Sequence, residues 1–135
     1  MISHLNYVHI LVAALIYFVI GSLWYSMLFG KTWMQLLGKT VVTEADKKNM
    51  PLMFASTFVL NFITTFATAC IVYAIQPATL IVVVKIGALL GVGFIFTTVL
   101  MNNMYAKRPF KLTLIDSGYH IVSITVVSIV LQMWH

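Results

Sequence analysis

The sequence predicts an all-α membrane protein with four transmembrane helices in an antiparallel bundle. Three observations point there. First, 61% of residues are hydrophobic and only 8% charged, with a mean hydropathy of +1.01; a soluble domain carries about a quarter charged residues. Second, the charges are bunched, leaving four long apolar runs at about 5–29, 51–75, 79–104 and 112–134. Each reaches the ~20 residues a helix needs to cross hydrocarbon. Third, seven of the eight Lys and Arg residues fall in two loops on one side: Lys31, Lys39, Lys47 and Lys48 in the first, Lys107, Arg108 and Lys111 in the other. The positive-inside rule makes that side cytoplasmic and puts both termini outside. The chain reads as one domain, 1–135, spanning the cell membrane.

The first run contains no Asp, Glu, Lys or Arg from Met1 to Gly30. It lacks a basic n-region and a small-x-small cleavage site, so it reads as a span and not as a cleaved signal. Asn6, His9, Ala13, Tyr17 and Trp24 share one helical face. A short helical loop at about 30–50 comes next. In GKTWMQLLGK, Trp33, Met34 and Leu37 fall on one face, with Lys31 and Gln35 elsewhere, as in a turn lying in the membrane interface. In VTEADKKNMP, Thr43 is placed to cap a short helix with Asp46 three residues on. Glu44 near its start and Lys47 and Lys48 near its end suit the helix dipole. Pro51 is then expected in the first turn of the second span, where its missing N–H is harmless.

The second span carries Thr57, Asn61, Thr64 and Thr68 on one face. Its Cys70, the chain's single cysteine, reads as a small buried hydrophobe. Gln76-Pro77-Ala78 turns into the third span, whose stripe is Gly87, Gly91, Thr98 and Asn102. GALLG supplies a G-x-x-x-G, a close-packing pattern that serves inside a bundle or between subunits. Lys85 is expected to snorkel to the outer headgroups. The fourth span carries Thr113, Asp116, Tyr119, His120 and Ser123. Four helices, each with one small or polar stripe, describe a bundle interior.

The stretch LIDSGYH, 114–120, places a carboxylate and a histidine four residues apart in an apolar segment. At ~1.5 Å per residue, Asp116 lies about 6 Å inside the cytoplasmic edge and His120 about 12 Å. Two readings of Asp116 stand. As a structural acid it accepts N–H bonds in a first helical turn or meets Lys107, Arg108 or Lys111. As a functional acid it forms with His120 a pair able to hold or pass a proton. The candidate polar cluster is Trp24, Tyr25, Thr57, Asn61, Thr98, Asn102, Asp116, Tyr119, His120 and Ser123, converging inside the bundle because polar atoms in hydrocarbon require partners. No second acid accompanies Asp116 within a span, and no G-x-S-x-G, H-E-x-x-H or cysteine cluster occurs, so no enzyme chemistry is expected. A haem between His9 and His120 would have to bridge a depth difference of roughly 10 Å. No cofactor or metal is expected. The net charge of +5 implies anionic headgroups at the cytoplasmic surface and not nucleic acid, which would need a folded basic domain.

WYSMLFGKTWM (24–34), LIDSGYHIVS (114–123) and the final Trp134 resemble the bacterial membrane family known as domain of unknown function 1761 (DUF1761). The matching positions are Trp24, Tyr25, Ser26, Phe29, Gly30, Lys31, Trp33 and Met34, then Gly118, Tyr119, His120 and Ser123. The resemblance covers essentially the whole chain. Met27 stands where many members have proline, implying a less kinked exit from the first span. The resemblance implies four membrane helices and supplies no activity; the expected location is the cell (inner) membrane. Two functions are consistent with these features: a non-enzymatic protein that packs against itself or a larger membrane complex, which the modest polar stripes favour, and an oligomeric transporter or channel coupled through Asp116 and His120.

Overall fold

The computed structural model describes residues 6–36, 38 and 44–134, and the side chains of 45 and 46 are not described. The expectations for Leu37, Lys39 and Thr43, and for the side chain of Asp46, lie outside the described residues. Within them the chain is helical and contains no strand. Four stretches are long and apolar enough to cross a membrane: Tyr7–Leu28, Lys47–Ile75, Leu80–Tyr105 and Phe110–Met133.

The first stretch is α1, Tyr7–Leu23, continued by a π-helical turn at Trp24–Leu28. Asn6 caps α1 by accepting the Val8 and His9 N–H groups at 3.1 and 3.2 Å, as a short polar side chain before a helix does. A short α2, Gly30–Leu36, begins at once. A Cβ on Gly30 would fall 2.6 Å from the Tyr25 carbonyl oxygen, so this abrupt change of direction requires glycine.

Helix α3 runs without a break from Glu44 to Ile75 and contains Pro51. This corrects two expectations. The short helix expected in VTEADKKNMP is the start of α3 and not a separate element, and Pro51 is not in a first turn; the helical turn expected from Gly30 onward is α2. The carbonyl that Pro51 leaves without its usual partner belongs to exposed Lys47, in polar surroundings that can satisfy it. The third stretch is α4, Leu80–Leu90, a π-helical segment at Gly91–Phe96, and α5, Thr97–Tyr105. Thr79 caps α4. The turn before it holds Gln76 at φ +50°, and the turn after α5 holds Lys107 at φ +58°, the left-handed conformation that commonly ends helices. The last helix is α6, Phe110–Met133.

α6 is the hub. It packs against α1, α3 and the third stretch, and α1 also packs against α3. Ring contacts order these pairings. On α1, Tyr7 meets Phe66 while Phe18 meets Phe54 and Phe58 of α3. His9 stacks on Trp134, the residue that caps the end of α6, at 4.2 Å, while Tyr17 meets Tyr119 and His120. On the opposite side of α6, a Cβ on Gly87 would lie 2.7 Å from Thr125 Cα, and one on Gly91 2.9 Å from Ile121 Cα. Both glycines of the G-x-x-x-G therefore serve contact within the chain, where only glycine lets two helix backbones come this near. Burial shows the same hierarchy. In the most apolar window of each, the fourth stretch is 44% buried and the third only 17%.

Candidate functional site at the Asp116 end of the helices

The site begins with the π turn. One extra residue in a helical turn shifts the phase of the residues after it, and here two neighbours, Trp24 and Tyr25, both reach α6. The Tyr25 hydroxyl donates to Asp116 Oδ1 at 2.6 Å. Trp24 Nε1 donates to the Ile115 carbonyl at 2.9 Å. The Trp24 ring lies over Gly118, where a Cβ would be only 3.1 Å from Cζ2. From α2, Trp33 Nε1 donates to the same Asp116 oxygen at 3.2 Å, and its ring meets Tyr25 edge-on at 5.4 Å. Asp116 thus ties α1 and α2 to α6.

Both structural roles expected for Asp116 are corrected by this arrangement. α6 starts at Phe110, and no acid stands in its first turn, so Asp116 is too far along to cap it. Lys107, Arg108 and Lys111 are exposed, and the carboxylate is held by a phenol and an indole. Such neutral donors orient a carboxylate and stabilise its charge without cancelling it.

Deeper in the core, the Tyr17 hydroxyl lies 2.6 Å from His120 Nδ1. Tyr17 donates when Nδ1 is bare and accepts when Nδ1 carries the proton. Tyr119 joins the two layers. Its ring meets Tyr17 at 5.4 Å and Tyr25 at 5.5 Å, both edge-on. Its hydroxyl lies 3.5 Å from both the Tyr17 carbonyl and Asn61 Oδ1, at the long end of hydrogen bonding. Gly21 makes room for it, since a Cβ there would sit 2.8 Å from that hydroxyl. Ser123 is buried one turn farther along α6.

Of the ten residues expected to converge, Trp24, Tyr25, Asn61, Asp116, Tyr119 and His120 are linked by these contacts, with Ser123 in the same core. Thr57, Thr98 and Asn102 are not part of it. All three are exposed, and the two threonines bond to carbonyls of their own helices, Met53 and Phe94. For Thr98 and Asn102 the reason is the π segment at Gly91–Phe96, which breaks the regular 100° step on which the stripe rested. Asn103 turns inward instead, buried and donating to Thr113 Oγ1 at 2.8 Å. For Thr57 the reason is splaying: every residue of α3 from Lys47 to Thr57 is exposed. Tyr17 and Trp33 complete the site and stand outside the expected cluster. Tyr17 shares a face with His9 and Trp24, which is the available signal; Trp33 lies in the expected loop. Lys31, Lys47, Lys48, Lys107, Arg108 and Lys111 are exposed, and Lys39 lies outside the described residues. Among the described residues no three His, Cys, Asp or Glu side chains come together as a metal site.

No curated protein and no solved structure matches the chain. A family model described as protein of unknown function (DUF1761) matches residues 8–132, from the first turn of α1 to the last turn of α6 and across the whole cluster. The chain therefore belongs to the DUF1761 family, whose description assigns no function.

Proposed function

We propose that this chain is a non-enzymatic protein of the cell (inner) membrane, a single domain whose antiparallel four-helix bundle packs against a second copy or a larger membrane complex. The observation that carries the reading is the outward surface of the third span. This span packs on α6 alone among the long helices to any extent. Ala88, Gly93, Thr97, Thr98 and Asn102 are all exposed on it. A Cβ on Gly93 would meet only Leu89 of its own helix. Small and polar residues are what helix contacts use, while lipid-facing surfaces are apolar. The reversed numerical order of the contacts between α1 and its neighbours supports the antiparallel arrangement. Basic residues at both loops on the Asp116 side support a cytoplasmic placement against anionic headgroups, with both termini outside. No cofactor, metal or nucleic acid enters this reading.

The test is purification in a mild detergent, with mass measured by light scattering and partners identified by cross-linking. A second copy or a defined membrane partner should accompany the wild type. Gly93→Leu should strip it away while leaving the melting temperature unchanged. A lone chain in every mild detergent and in native membranes would overturn the reading. Orientation is checked with Cys70→Ser chains carrying one new cysteine. Gly38→Cys should resist an impermeant thiol reagent in intact cells, and Ala78→Cys should react. The opposite pattern reverses the topology.

A second reading, an oligomeric transporter or channel coupled through Asp116 and His120, is favoured by one observation. The 2.6 Å bond between Tyr17 and His120 Nδ1 joins two groups able to exchange a proton, one turn deeper than the carboxylate.

A further inference from the structure

Along α3, Asn61, Thr65 and Ala69 recur at four-residue spacing on one stripe. Along α6, Tyr119, Ser123 and Val127 do the same. All six are at most 5% exposed. The stripes meet where the Tyr119 hydroxyl approaches Asn61 Oδ1. Because α3 and α6 both pair with α1 in reverse order, they run the same way as each other. One turn farther on, about 6 Å, Thr65 comes level with Ser123, and a second turn brings Ala69 level with Val127. From α1, Ala13 lies one turn beyond Tyr17, fully buried in the same core.

Over these two levels three polar atoms have no protein partner. Asn61 Nδ2, Thr65 Oγ1 and Ser123 Oγ are enclosed and unbonded. Elsewhere in these helices Thr64, Thr68 and Thr125 return their hydroxyls to the carbonyl four residues back, while buried Thr113 accepts from Asn103. Thr65 and Ser123 forgo that bond, as do Ser117 and Ser128 elsewhere on α6; of these four, only Thr65 and Ser123 stand beside a third unbonded group, the Asn61 amide. A hydroxyl in hydrocarbon that turns away from its own backbone does so for another partner. The three groups are neutral dipoles. They offer no charge to hold an ion, but they supply the two to four donors and acceptors that a buried water takes up.

We infer that Asn61, Thr65 and Ser123 bind ordered water, forming a hydrated inlet. It is reached from the Asp116 end past Tyr119 and is closed on the other side by a dry layer of Ile10, Ala69, Val72 and Val127. The ligand class is water, and with it the proton that water carries as far as Tyr17 and His120. The inlet extends the coupling reading but does not depend on it, since Thr65 and Ser123 require the water whether or not Asp116 exchanges protons.

The experiment is water-edited solid-state NMR of the full, isotope-labelled chain in bilayers of deuterated lipid. Magnetisation from water should reach Thr65 Cβ and Ser123 Cβ as quickly as it reaches Asp116, and should reach Ala69 and Val127 at least several-fold more slowly. In a Ser123→Ala chain the transfer to Thr65 and Asn61 should persist, showing bound water and not hydroxyl exchange at Ser123 itself. Thr65→Val, which removes the hydroxyl at constant shape, should lower the melting temperature. A dry site gives the opposite set: transfer to Thr65 and Ser123 no faster than to Val127. That result overturns the inference whatever the variant's stability, and equal rapid transfer to Val127 overturns the closed end.

Discussion

Between Ile115 and Ser123, the hydrogen bonds that join α6 to α1, the π turn, α2 and α3 involve three phenols, two indoles, an imidazole and an amide. Between Ile124 and Leu131, α1, α3 and α6 meet through Ile10, Ala13, Ala69, Val72, Val127 and Leu131. The first region holds the carboxylate, lies beside the basic loops and is laced by hydrogen bonds between helices. The second holds together by shape, ending in the stack of His9 on Trp134. In a bilayer, burying leucine against leucine gains little over leaving it in lipid. The dry region therefore depends on close fit, and the polar region on satisfied donors. The two should fail differently.

The largest expected effect breaks shape. A Leu side chain at Gly87 would drive its Cβ to within 2.7 Å of the Thr125 backbone, an atom that cannot swing aside. Overpacking costs about 1–3 kcal/mol in a core that can adjust, and more where it cannot. Gly87→Leu should therefore give the greatest fall in melting temperature of the substitutions named here, at the upper end of that range or beyond. Tolerance equal to that of Gly93→Leu would remove the claim that the third span is fixed to α6 by close approach.

Next comes the polar region. Asp116→Leu leaves the Tyr25 hydroxyl and the Trp33 indole N–H without their acceptor, at about 1–3 kcal/mol for an orphaned donor. The loss should be localised. Hydrogen–deuterium exchange should quicken in α2 and the π turn at Trp24–Leu28 while the Ala69–Val127 level stays protected. Uniform loosening of both regions would dissolve the distinction between them. Tyr17→Phe is smaller still, about 1 kcal/mol for one hydrogen bond. It should leave the edge-on contact with Tyr119 in place, and it should alter the His120 Nδ1 chemical shift without moving that of Nε2 by as much.

The same contrast decides which parts of the molecule are legible in its sequence. The four stretches can be read from charge spacing alone, because removing charge from about 20 consecutive residues leaves few alternatives in water. Gly87 and Gly91 are legible as a contact, because glycine at four-residue spacing has a steric meaning independent of phase. The polar cluster is legible only where the helix keeps its regular step. Asp116, Tyr119 and His120 lie on an uninterrupted α6, and they come together. Asn102 and Thr98 lie beyond the π segment at Gly91–Phe96, and Asn103 takes the inward place. Nothing in the GVGFIF run marks an extra residue per turn, so the periodic reading slips by one position. Trp33 reads as a membrane-surface anchor because its partner is 83 positions away, and indole chemistry does not reveal which acceptor it will find.

The smallest expected effect on stability is also the one that separates the two roles of Asp116. Asp116→Asn keeps a carbonyl oxygen where Oδ1 stands, able to accept from both Tyr25 and Trp33. It loses the charge that strengthens those bonds, a difference of about 1 kcal/mol or less between charged and neutral acceptors at a partly exposed site. If Asp116 serves only to tie α1 and α2 to α6, the Asn chain should melt close to the wild type and retain its partners, while Asp116→Leu loses stability. If Asp116 exchanges a proton, the Asn chain should keep the same fold and melting temperature yet abolish proton flux in reconstituted vesicles carrying an internal pH dye. A fall in stability as large as that of Asp116→Leu would show that the carboxylate charge, and not its geometry, holds the polar region together.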